Sequence, residues 1–539
     1  MTNRSALRLE DLTVEFPGTA APAAVRGLGF DLAPGRTLGI VGESGSGKSV
    51  TLRAVMGILP GRARITSGAL WMGDAQLPLV GNQLRAARRR RLAMVFQDSL
   101  SALNPVMRVG DLIAEVPRRV LGEPAAQARR TAIDLMRQVR LPDPERLARA
   151  YPHQLSGGQR QRVAIAAALA GRPEVLLCDE PTTALDVTVQ SAVLDLLNEI
   201  KERTNLTTVF VSHDLAVISQ VADDVLVMRH GGPLESGPAP VVLGTPRDDY
   251  TRQLLAATVE LPPPGGTVAP AGKDGPAAHT DGSEPPRLEA RRVRVAYPGA
   301  DQPALAAVDL ALRPGRIHGL VGESGSGKTT LARVLTGQLR PDTGEVRLDG
   351  VPLTGRRRDR TRLRAVQMVF QDPYASLDPR MTVRQTLVEL LRLVGVTGRA
   401  ATEARCRELL DQVAMPAAAL DRVPGQFSGG QRQRIAIARA LAVEPTVLVA
   451  DEPTSALDVS VQSTILQLIA RLRDDIGLSV LLISHNLGVV HEICDEVSVI
   501  HHGEIVETGP TRRVFADPAH DYTRRLIDSV PRLRKETLR

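Results

Sequence analysis

Short apolar runs alternate with longer amphipathic segments along most of the chain. The runs TLGIVG at 37–42, VLLCDE at 175–180 and TVFVSH at 208–213 are almost wholly apolar until their last residues. Such runs predict strands that are buried on both faces of a parallel sheet. Helical patterns follow them, for example VQSAVLDLLNEIKER at 189–203. The pattern predicts an α/β fold whose motifs lie at the carboxyl ends of parallel strands, where such sheets bind ligands.

The whole pattern occurs twice. GESGSGK stands at 42–48 and 322–328, SGGQRQR at 156–162 and 428–434, and DYTR at 249–252 and 521–524. The offset falls from 280 to 272 residues and then stays constant, which places eight extra residues in the first copy. Residues 261–287 contain seven prolines and five glycines, a composition that cannot pack a core. We therefore predict two domains, 1–260 and 288–539, joined by a linker at 261–287.

Composition excludes several classes of protein. Of the 539 residues, 43% are apolar and 24% are charged, which is typical of a globular protein. The chain has no apolar run long enough to span a membrane and begins without a secretory signal, so we expect an intracellular protein. Its three cysteines form no CxxC pair, which argues against zinc and cysteine-ligated clusters. The net charge of +7 is mild, and with only 2% aromatic residues the arginine runs at 88–91 and 356–358 are interpreted as solvated faces rather than nucleic-acid contacts.

A glycine-rich loop between a strand and a helix indicates phosphate binding. Both copies fit GxxxxGK[ST], in which backbone N–H groups surround a phosphate and the lysine reaches the β- and γ-phosphates. The serine or threonine that follows the lysine would ligate Mg²⁺. The two loop lysines are among only five in the chain. The residues assigned to ATP and Mg²⁺ are Gly42, Gly45, Gly47, Lys48 and Ser49, and then Gly322, Gly325, Gly327, Lys328 and Thr329.

Acidic and polar residues at later strand ends complete a hydrolytic site. The aspartate of each DEPT segment would hold Mg²⁺, and the adjacent glutamate would act as general base on the attacking water. In both copies a histidine follows that aspartate by 34 residues, which favours a γ-phosphate contact. The glutamine of each VFQD segment would bind Mg²⁺ or the water. These residues are Asp179, Glu180, His213 and Gln97, and in the second copy Asp451, Glu452, His485 and Gln371.

The SGGQ segments are a second anion-binding arrangement, because serine and two glycines precede a helical run. They comprise Ser156, Gly157 and Gly158 in the first copy and Ser428, Gly429 and Gly430 in the second. Each domain would then hold two phosphate sites, although a nucleotide needs only one. We therefore predict a head-to-tail pair in which each nucleotide lies between the glycine-rich loop of one copy and the SGGQ segment of the other.

Together these motifs resemble two fused ATP-binding domains of the ABC ATPase superfamily. QDSLSALNP at 97–105, QDPYASLDP at 371–379 and the segments at 237–255 and 509–527 are similar to ATPases of dipeptide, oligopeptide and nickel importers. Ser99 and Asp378 depart from the usual proline and asparagine, and the cysteine cluster of some members is absent, so we expect no iron–sulfur cluster. The resemblance implies two P-loop NTPase domains, each with a parallel-sheet core, an antiparallel β subdomain and a helical subdomain.

The resemblance also implies function. Phe16 and Tyr297 would stack on adenine, and Asp186 and Asp458 would communicate between the copies. The chain would hydrolyse ATP to energise an importer at the cytoplasmic face of the membrane. Its cargo would be dipeptides, oligopeptides or glutathione-like compounds, or else nickel or metal chelates. Its partners would be an extracytoplasmic binding protein and two permeases, whose short helices would dock after Gln97 and Gln371. The alternatives are a soluble tandem ATPase acting on ribosomes or DNA, and the ATPase of an exporter.

Overall fold

The structure is a computed structural model of the chain. It forms two compact units, one built mostly from residues before 259 and the other mostly from residues 259–530. Most of the predicted linker lies outside the described residues, as do Ser99 and Asp458. The described residues are 5–17, 23–98, 102–182, 185–256, 258, 261, 285–299, 302–353, 360–372, 376–454, 457 and 459–533.

Two sheets organise the first unit. The strands described there are β1 (Leu7–Glu15), β2 (Val25–Leu32), β3 (Thr37–Val41), β4 (Arg64–Met72), β5 (Ala75–Leu77), β6 (Leu92–Val95), β7 (Val175–Asp179), β8 (Thr207–Val211), β9 (Asp224–Arg229) and β10 (Gly232–Pro238). One sheet is antiparallel, with the order β2-β1-β4-β5. The other has the order β10-β9-β3-β8-β7-β6, and all its pairs are parallel except β9 with β10.

The helices described in the first unit lie between and after these strands. They are α1 (Lys48–Met56), α2 (Asn82–Arg90), α3 (Val109–Val116), α4 (Ala125–Gln138), α5 (Pro144–Leu147), α6 (Gly157–Leu169), α7 (Val187–Thr204), α8 (Leu215–Val221), α9 (Ala239–Gly244) and α10 (Asp249–Ala256). A π turn spans Pro117–Leu121 and a 3₁₀ turn spans Pro152–Gln154. In α4 the buried residues Ala128, Ala132 and Met136 recur every four positions, so one face of the helix packs inward.

The second unit repeats this plan. Its strands are β11 (Leu288–Val295), β12 (Leu305–Leu312), β13 (Ile317–Val321), β14 (Thr343–Leu348), β15 (Val351–Pro352), β16 (Val366–Val369), β17 (Val447–Asp451), β18 (Ser479–Ile483), β19 (Glu496–His501) and β20 (Glu504–Pro510). Its sheets have the orders β12-β11-β14-β15 and β16-β17-β18-β13-β19-β20. Its helices are α11 (Lys328–Leu335), α12 (Arg360–Ala365), α13 (Val383–Leu393), α14 (Arg399–Gln412), α15 (Gly429–Leu441), α16 (Val459–Ile476), α17 (Leu487–Ile493), α18 (Thr511–Ala516) and α19 (Asp521–Asp528), with 3₁₀ turns at Ala417–Asp421 and Pro424–Gln426.

The central strands are mostly apolar because both of their faces are covered. In β8, Val209 and Val211 join the core beneath the antiparallel sheet, whereas Phe210 between them joins the core beneath the helices. In β3, Ile40 and Val41 divide in the same way. Each unit therefore has a parallel-sheet core, an antiparallel sheet and a helical layer, which confirms the predicted fold class. All three cysteines are buried and free.

Candidate functional site

The glycine-rich loops connect β3 to α1 and β13 to α11. Gly47 and Gly327, which precede the two helices, have φ of 98° and 109°. A Cβ atom on them would lie 2.4 Å from the carbonyl oxygen of Ala24 and 2.5 Å from that of Ala304. Only glycine fits this approach, and it lets the loop curl around the start of its helix.

A buried lysine closes each loop. The Lys48 ammonium donates to the carbonyl oxygens of Gly42 at 2.6 Å and Glu43 at 2.9 Å. Lys328 makes the equivalent contacts, with Gly322 at 2.8 Å and Glu323 at 2.7 Å. Burial lowers the pKa of Lys328, and neighbouring carboxylates only partly oppose this effect. A cation so poorly hydrated favours an anionic ligand.

A buried serine hydroxyl in each glycine-rich loop also favours a phosphate ligand. The Oγ atoms of Ser46 and Ser326 are buried and have no hydrogen-bond partner among the described residues. An unpaired buried hydroxyl costs stability unless a ligand satisfies it. A phosphate oxygen would accept from each hydroxyl, so the residues present fit the triphosphate of ATP.

The aspartate at the end of each buried strand faces the residue that follows the lysine. The Ser49 hydroxyl donates to Asp179 Oδ1 at 2.7 Å, and Thr329 bonds Asp451 in the same way. Burial raises the pKa of both aspartates, and the hydroxyl bonds only partly offset it. A hydroxyl and a desolvated carboxylate are oxygen ligands of the kind Mg²⁺ prefers, so this pair fits the predicted metal position.

The glutamate, glutamine and histidine predicted for hydrolysis do come together. Gln97 Nε2 donates to Glu180 Oε2 at 3.0 Å, and His213 Nδ1 lies 3.3 Å from the same oxygen. In the second unit Glu452 Oε2 lies 2.8 Å from Gln371 Nε2 and 3.2 Å from His485 Nδ1. These groups are more than 30 residues apart in the sequence. They lie close together in the structure because they follow the carboxyl ends of neighbouring strands.

Electrostatics couple each glutamate to its histidine. Burial lowers the pKa of His213, but the hydrogen bond and charge of Glu180 outweigh burial and leave that pKa raised. Burial raises the pKa of Glu452, but the hydrogen bond and charge of His485 outweigh it and leave that pKa lowered. A lowered pKa keeps the Glu452 carboxylate ionised near neutral pH, as a general base must be.

Both glutamates also have strained backbones. Glu180 has φ of 46° and Glu452 has φ of 49°, in the left-handed region that glycine favours. The backbone N–H of Glu180 donates to Val211 at 3.1 Å, and that of Glu452 donates to Ile483 at 2.9 Å. Left-handed residues recur at other corresponding positions too, such as His230 and His502, so the conformation is a property of the shared fold and not of the site alone.

The SGGQ segments begin α6 and α15, as predicted. Ser156 and Ser428 are the exposed N-caps, and each hydroxyl accepts from the backbone N–H of the glutamine three residues later. The second glycine has a packing role that the sequence did not reveal. A Cβ on Gly158 would lie 2.5 Å from Val189 of α7, and one on Gly430 would lie 2.3 Å from Val461.

The two aromatic residues predicted to stack on adenine differ in exposure. Phe16 follows β1 and is half-buried. Tyr297 follows β11, is 42% exposed, and places its hydroxyl 3.4 Å from Thr330 Oγ1 in the first turn of α11. Tyr297 therefore lies beside the helix that the second loop opens, where its ring is accessible.

Two long segments of the chain match one protein family. Residues 25–183 and 305–455 both match the family model described as ABC transporter. The chain belongs to the ABC transporter family. Residues 506–539 match a second model, the C-terminal region of oligopeptide/dipeptide transporters. The resemblance inferred from the motifs is confirmed, and so is the expectation of an ATP-binding ATPase coupled to transport.

Relatives of this ABC protein share nearly its whole length. It is 40% identical to the peptidoglycan transport ATP-binding protein YejF of Agrobacterium fabrum, over 97% of this chain and 95% of that one. It is 40% identical to the glutathione import ATP-binding protein GsiA of Escherichia coli, over 97% and 89%. It is 38% identical to the oligopeptide transport ATP-binding protein OppD of Mycobacterium bovis, over 97% and 98%. Among solved structures it is similar to the ADP- and Pi-bound cassette MJ0796, with 28% identity and a TM-score of 0.39, over 42% of this chain and 99% of that one.

The sequence patterns did not predict one contact beside the candidate site of this ABC protein. The tyrosines of the two DYTR segments reach the glycine-rich loops, although the sequence assigned these segments no role. Their recurrence at a fixed offset was the available signal. Within the described residues, no helix of the chain has both the length and the apolar character needed to cross a bilayer.

Proposed function

We propose that the chain binds MgATP at both loops and hydrolyses it to energise the import of peptides. The observation that carries the proposal is the intact set of catalytic groups in each copy. In both units a glutamate carboxylate contacts a glutamine amide and a histidine ring within 3.3 Å. The three groups follow three successive strands on one side of the strand that leads into the loop.

The roles follow from the chemistry of each group. Lys48 and Lys328 would leave the loop carbonyls that they now contact and would neutralise the β- and γ-phosphates. Bound Mg²⁺ would neutralise phosphate charge. Ser49 and Asp179 would hold it in the first unit together with Gln97, and Thr329, Asp451 and Gln371 in the second. Glu180 and Glu452 would take the proton of the attacking water, while His213 and His485 orient them and contact the γ-phosphate.

We also propose that each ATP is completed by the other copy. A loop and an SGGQ segment are both anion sites, and each domain contains one of each although one nucleotide needs both. Two ATP sites satisfy both requirements if each combines the glycine-rich loop of one copy with the SGGQ segment of the other. The proposed domains are 1–260 and 288–539, joined by a linker at 261–287. Both segments matched to the ABC family fall inside the proposed domains. Phe16 and Tyr297 would cover the adenines.

The cargo and partners are inferred from the relatives. Their names specify peptidoglycan, glutathione and oligopeptide transport, and residues 506–539 match an oligopeptide/dipeptide transporter region. Peptides or glutathione-like compounds are therefore the proposed cargo, with nickel or metal chelates as the alternative. The chain would act peripherally at the cytoplasmic face of the membrane with two permeases and an extracytoplasmic binding protein. The permeases would dock beside α3 and α13.

Replacing both glutamates tests the hydrolytic assignment. The Glu180→Gln/Glu452→Gln variant should hydrolyse ATP at least about 100-fold more slowly but still bind it, because an amide cannot accept the proton. A matched variant at the partly exposed Glu199 of α7, Glu199→Gln, should keep the wild-type rate. Hydrolysis by the double variant at the wild-type rate would refute the assignment. Uptake of labelled dipeptide and of nickel by a deletion strain then separates the two classes of cargo.

A further inference from the structure

The repeated DYTR segment reaches the glycine-rich loop of its own unit. Tyr250 lies in the first turn of α10, and its hydroxyl accepts from the backbone N–H of Glu43 at 3.1 Å. Tyr522 in α19 accepts from the N–H of Glu323 at 3.0 Å. Both tyrosines are only 4% exposed. The same donor and acceptor therefore meet in both copies, in the interior of each unit.

These hydrogen bonds hold a peptide group that the loop lysine also holds. The carbonyl of Gly42 and the N–H of Glu43 belong to one peptide, whose oxygen accepts from Lys48 and whose nitrogen donates to Tyr250. The Gly322–Glu323 peptide is fixed at both ends in the same way. Because a peptide group is planar, contacts at both ends set its orientation. The first turn of the loop then starts in a defined direction.

Each tyrosine ring is itself fixed by the strand next to the loop strand. The Arg229 guanidinium, at the end of β9, lies 4.5 Å from the centre of the Tyr250 ring. His501, at the end of β19, stacks on Tyr522 at 3.8 Å. A cation and an aromatic ring both interact favourably with the face of a tyrosine. The two copies thus use different side chains to hold the same hydroxyl in place.

The backbone before each tyrosine is anchored as well. Both carboxylate oxygens of Glu235 accept from the backbone, from Arg247 at 2.9 Å and Asp248 at 3.3 Å. Glu507 accepts at 2.8 Å and 3.1 Å from the corresponding amides in the second unit. Burial raises the pKa of Glu235, but the backbone hydrogen bonds outweigh it and leave that pKa lowered. The helix that carries the tyrosine therefore begins at a fixed point on the last strand of its sheet.

We propose that Tyr250 and Tyr522 are positioning residues for the nucleotide, which preorganise the loops so that the segment after the last strand of each copy helps to set ATP affinity. The inference rests on the proposed phosphate-binding role of the loops. Burial raises the pKa of Tyr522 to about 12, so its hydroxyl stays neutral and brings no negative charge near the phosphates. Tyr522 also lies within residues 506–539, the oligopeptide/dipeptide transporter region, and beyond the matched ABC segment. That region would thus be connected to ATP binding.

The Tyr250→Phe/Tyr522→Phe variant of the full chain tests the proposal, because it removes both hydroxyls and keeps both rings. We expect the Kd for MgADP, measured by calorimetry, to rise about 3–10-fold, as the loss of one modest hydrogen bond per site predicts. The KM for ATP should rise by a similar factor, while kcat changes less than about 2-fold. MgADP is the probe because it carries the β-phosphate and is not consumed.

Two further variants serve as controls for the Kd measured with the tyrosine variant. Thr204→Val/Ser529→Ala removes one helix-end hydrogen bond of 2.7 Å from each unit, away from the loops, and should leave the Kd unchanged. Lys48→Ala/Lys328→Ala should weaken MgADP binding whether or not the tyrosines matter. A tyrosine variant with a lower Tm but an unchanged Kd, beside a lysine variant that binds poorly, overturns this inference alone. If the lysine variant also binds normally, the proposed phosphate site is wrong and the inference falls with it.

Discussion

The left-handed backbone of the two glutamates proposed as general bases predicts an inverted order of stability for small residues. Glu180 has φ of 46°, and its N–H is tied to Val211 of the adjacent strand, so the backbone cannot relax without losing a sheet contact. Glu180→Gly and Glu180→Ala both remove the carboxylate and its contacts with Gln97 and His213. The two variants differ only by a Cβ atom, which isolates the backbone term.

The magnitude follows from two opposing effects. A Cβ in the left-handed region costs about 1–2 kcal/mol. Alanine normally gains about 0.4–1 kcal/mol over glycine, because it restricts the unfolded chain. The glycine variant should therefore be more stable than the alanine variant by about 0.5–1 kcal/mol. For a domain of this size that difference corresponds to about 1–4 °C in Tm.

Calorimetric unfolding of the full chain without nucleotide measures this difference. The matched control is the same pair of substitutions at Glu199, which lies on α7 and contacts Arg140. There the order should be the usual one, with alanine more stable by about 1 kcal/mol. If alanine is also favoured over glycine at position 180, by the same margin as at 199, the strain argument is wrong.

Three further outcomes follow from the structure. The pKa of His213, measured by NMR titration, should exceed its ordinary value, and it should fall in Glu180→Gln, where burial, the largest effect, is no longer opposed by the Glu180 carboxylate. Because the pKa of His213 is raised in the folded state, the pair stabilises the fold below pH about 6.5, and this contribution is lost as pH rises through the raised pKa. Gly158→Ala should lower the free energy of unfolding by about 1–3 kcal/mol, and the additional change Val189→Ala should restore part of it, because the new Cβ meets that side chain. The three thiols, whose pKa values burial raises, should react with an aromatic disulfide reagent at pH 8 only after denaturation.

The strands, and the proximity of the site residues that follow them, could be predicted from the sequence for a clear physical reason. A five-residue strand buried on both faces is mostly apolar, so TLGIV and VLLCD could be recognised without a structure although they include Thr37 and Asp179. Groups that directly follow such strands must then meet at one edge of the sheet. Glu180, Gln97 and His213 were brought together by this rule.

What the sequence could not provide depends on contacts between segments far apart in the chain. No local pattern specifies that Tyr250 reaches Glu43, 207 residues away, or that Glu180 is left-handed. His318 is another example, because this polar residue lies within β13, the second copy of a strand predicted to be buried and apolar. The structure buries His318 by pairing its Nε2 with Ser498 Oγ at 2.8 Å, and that hydroxyl lies 2.8 Å from Thr508 Oγ1.

The two copies differ in their interiors but agree at their sites, and this contrast bears on how many sites work. Leu38 and Phe210 of the first unit are replaced by His318 and Leu482 in the second, since a core position requires mainly volume and satisfied polar atoms. The glutamate–histidine distances nevertheless agree at 3.3 Å and 3.2 Å, and both glutamates are left-handed. The same left-handed conformation also recurs outside the sites, at His230 and His502, so it belongs to the fold that the two copies share. The matching contacts among glutamate, glutamine and histidine are what support the proposal of two hydrolytic sites.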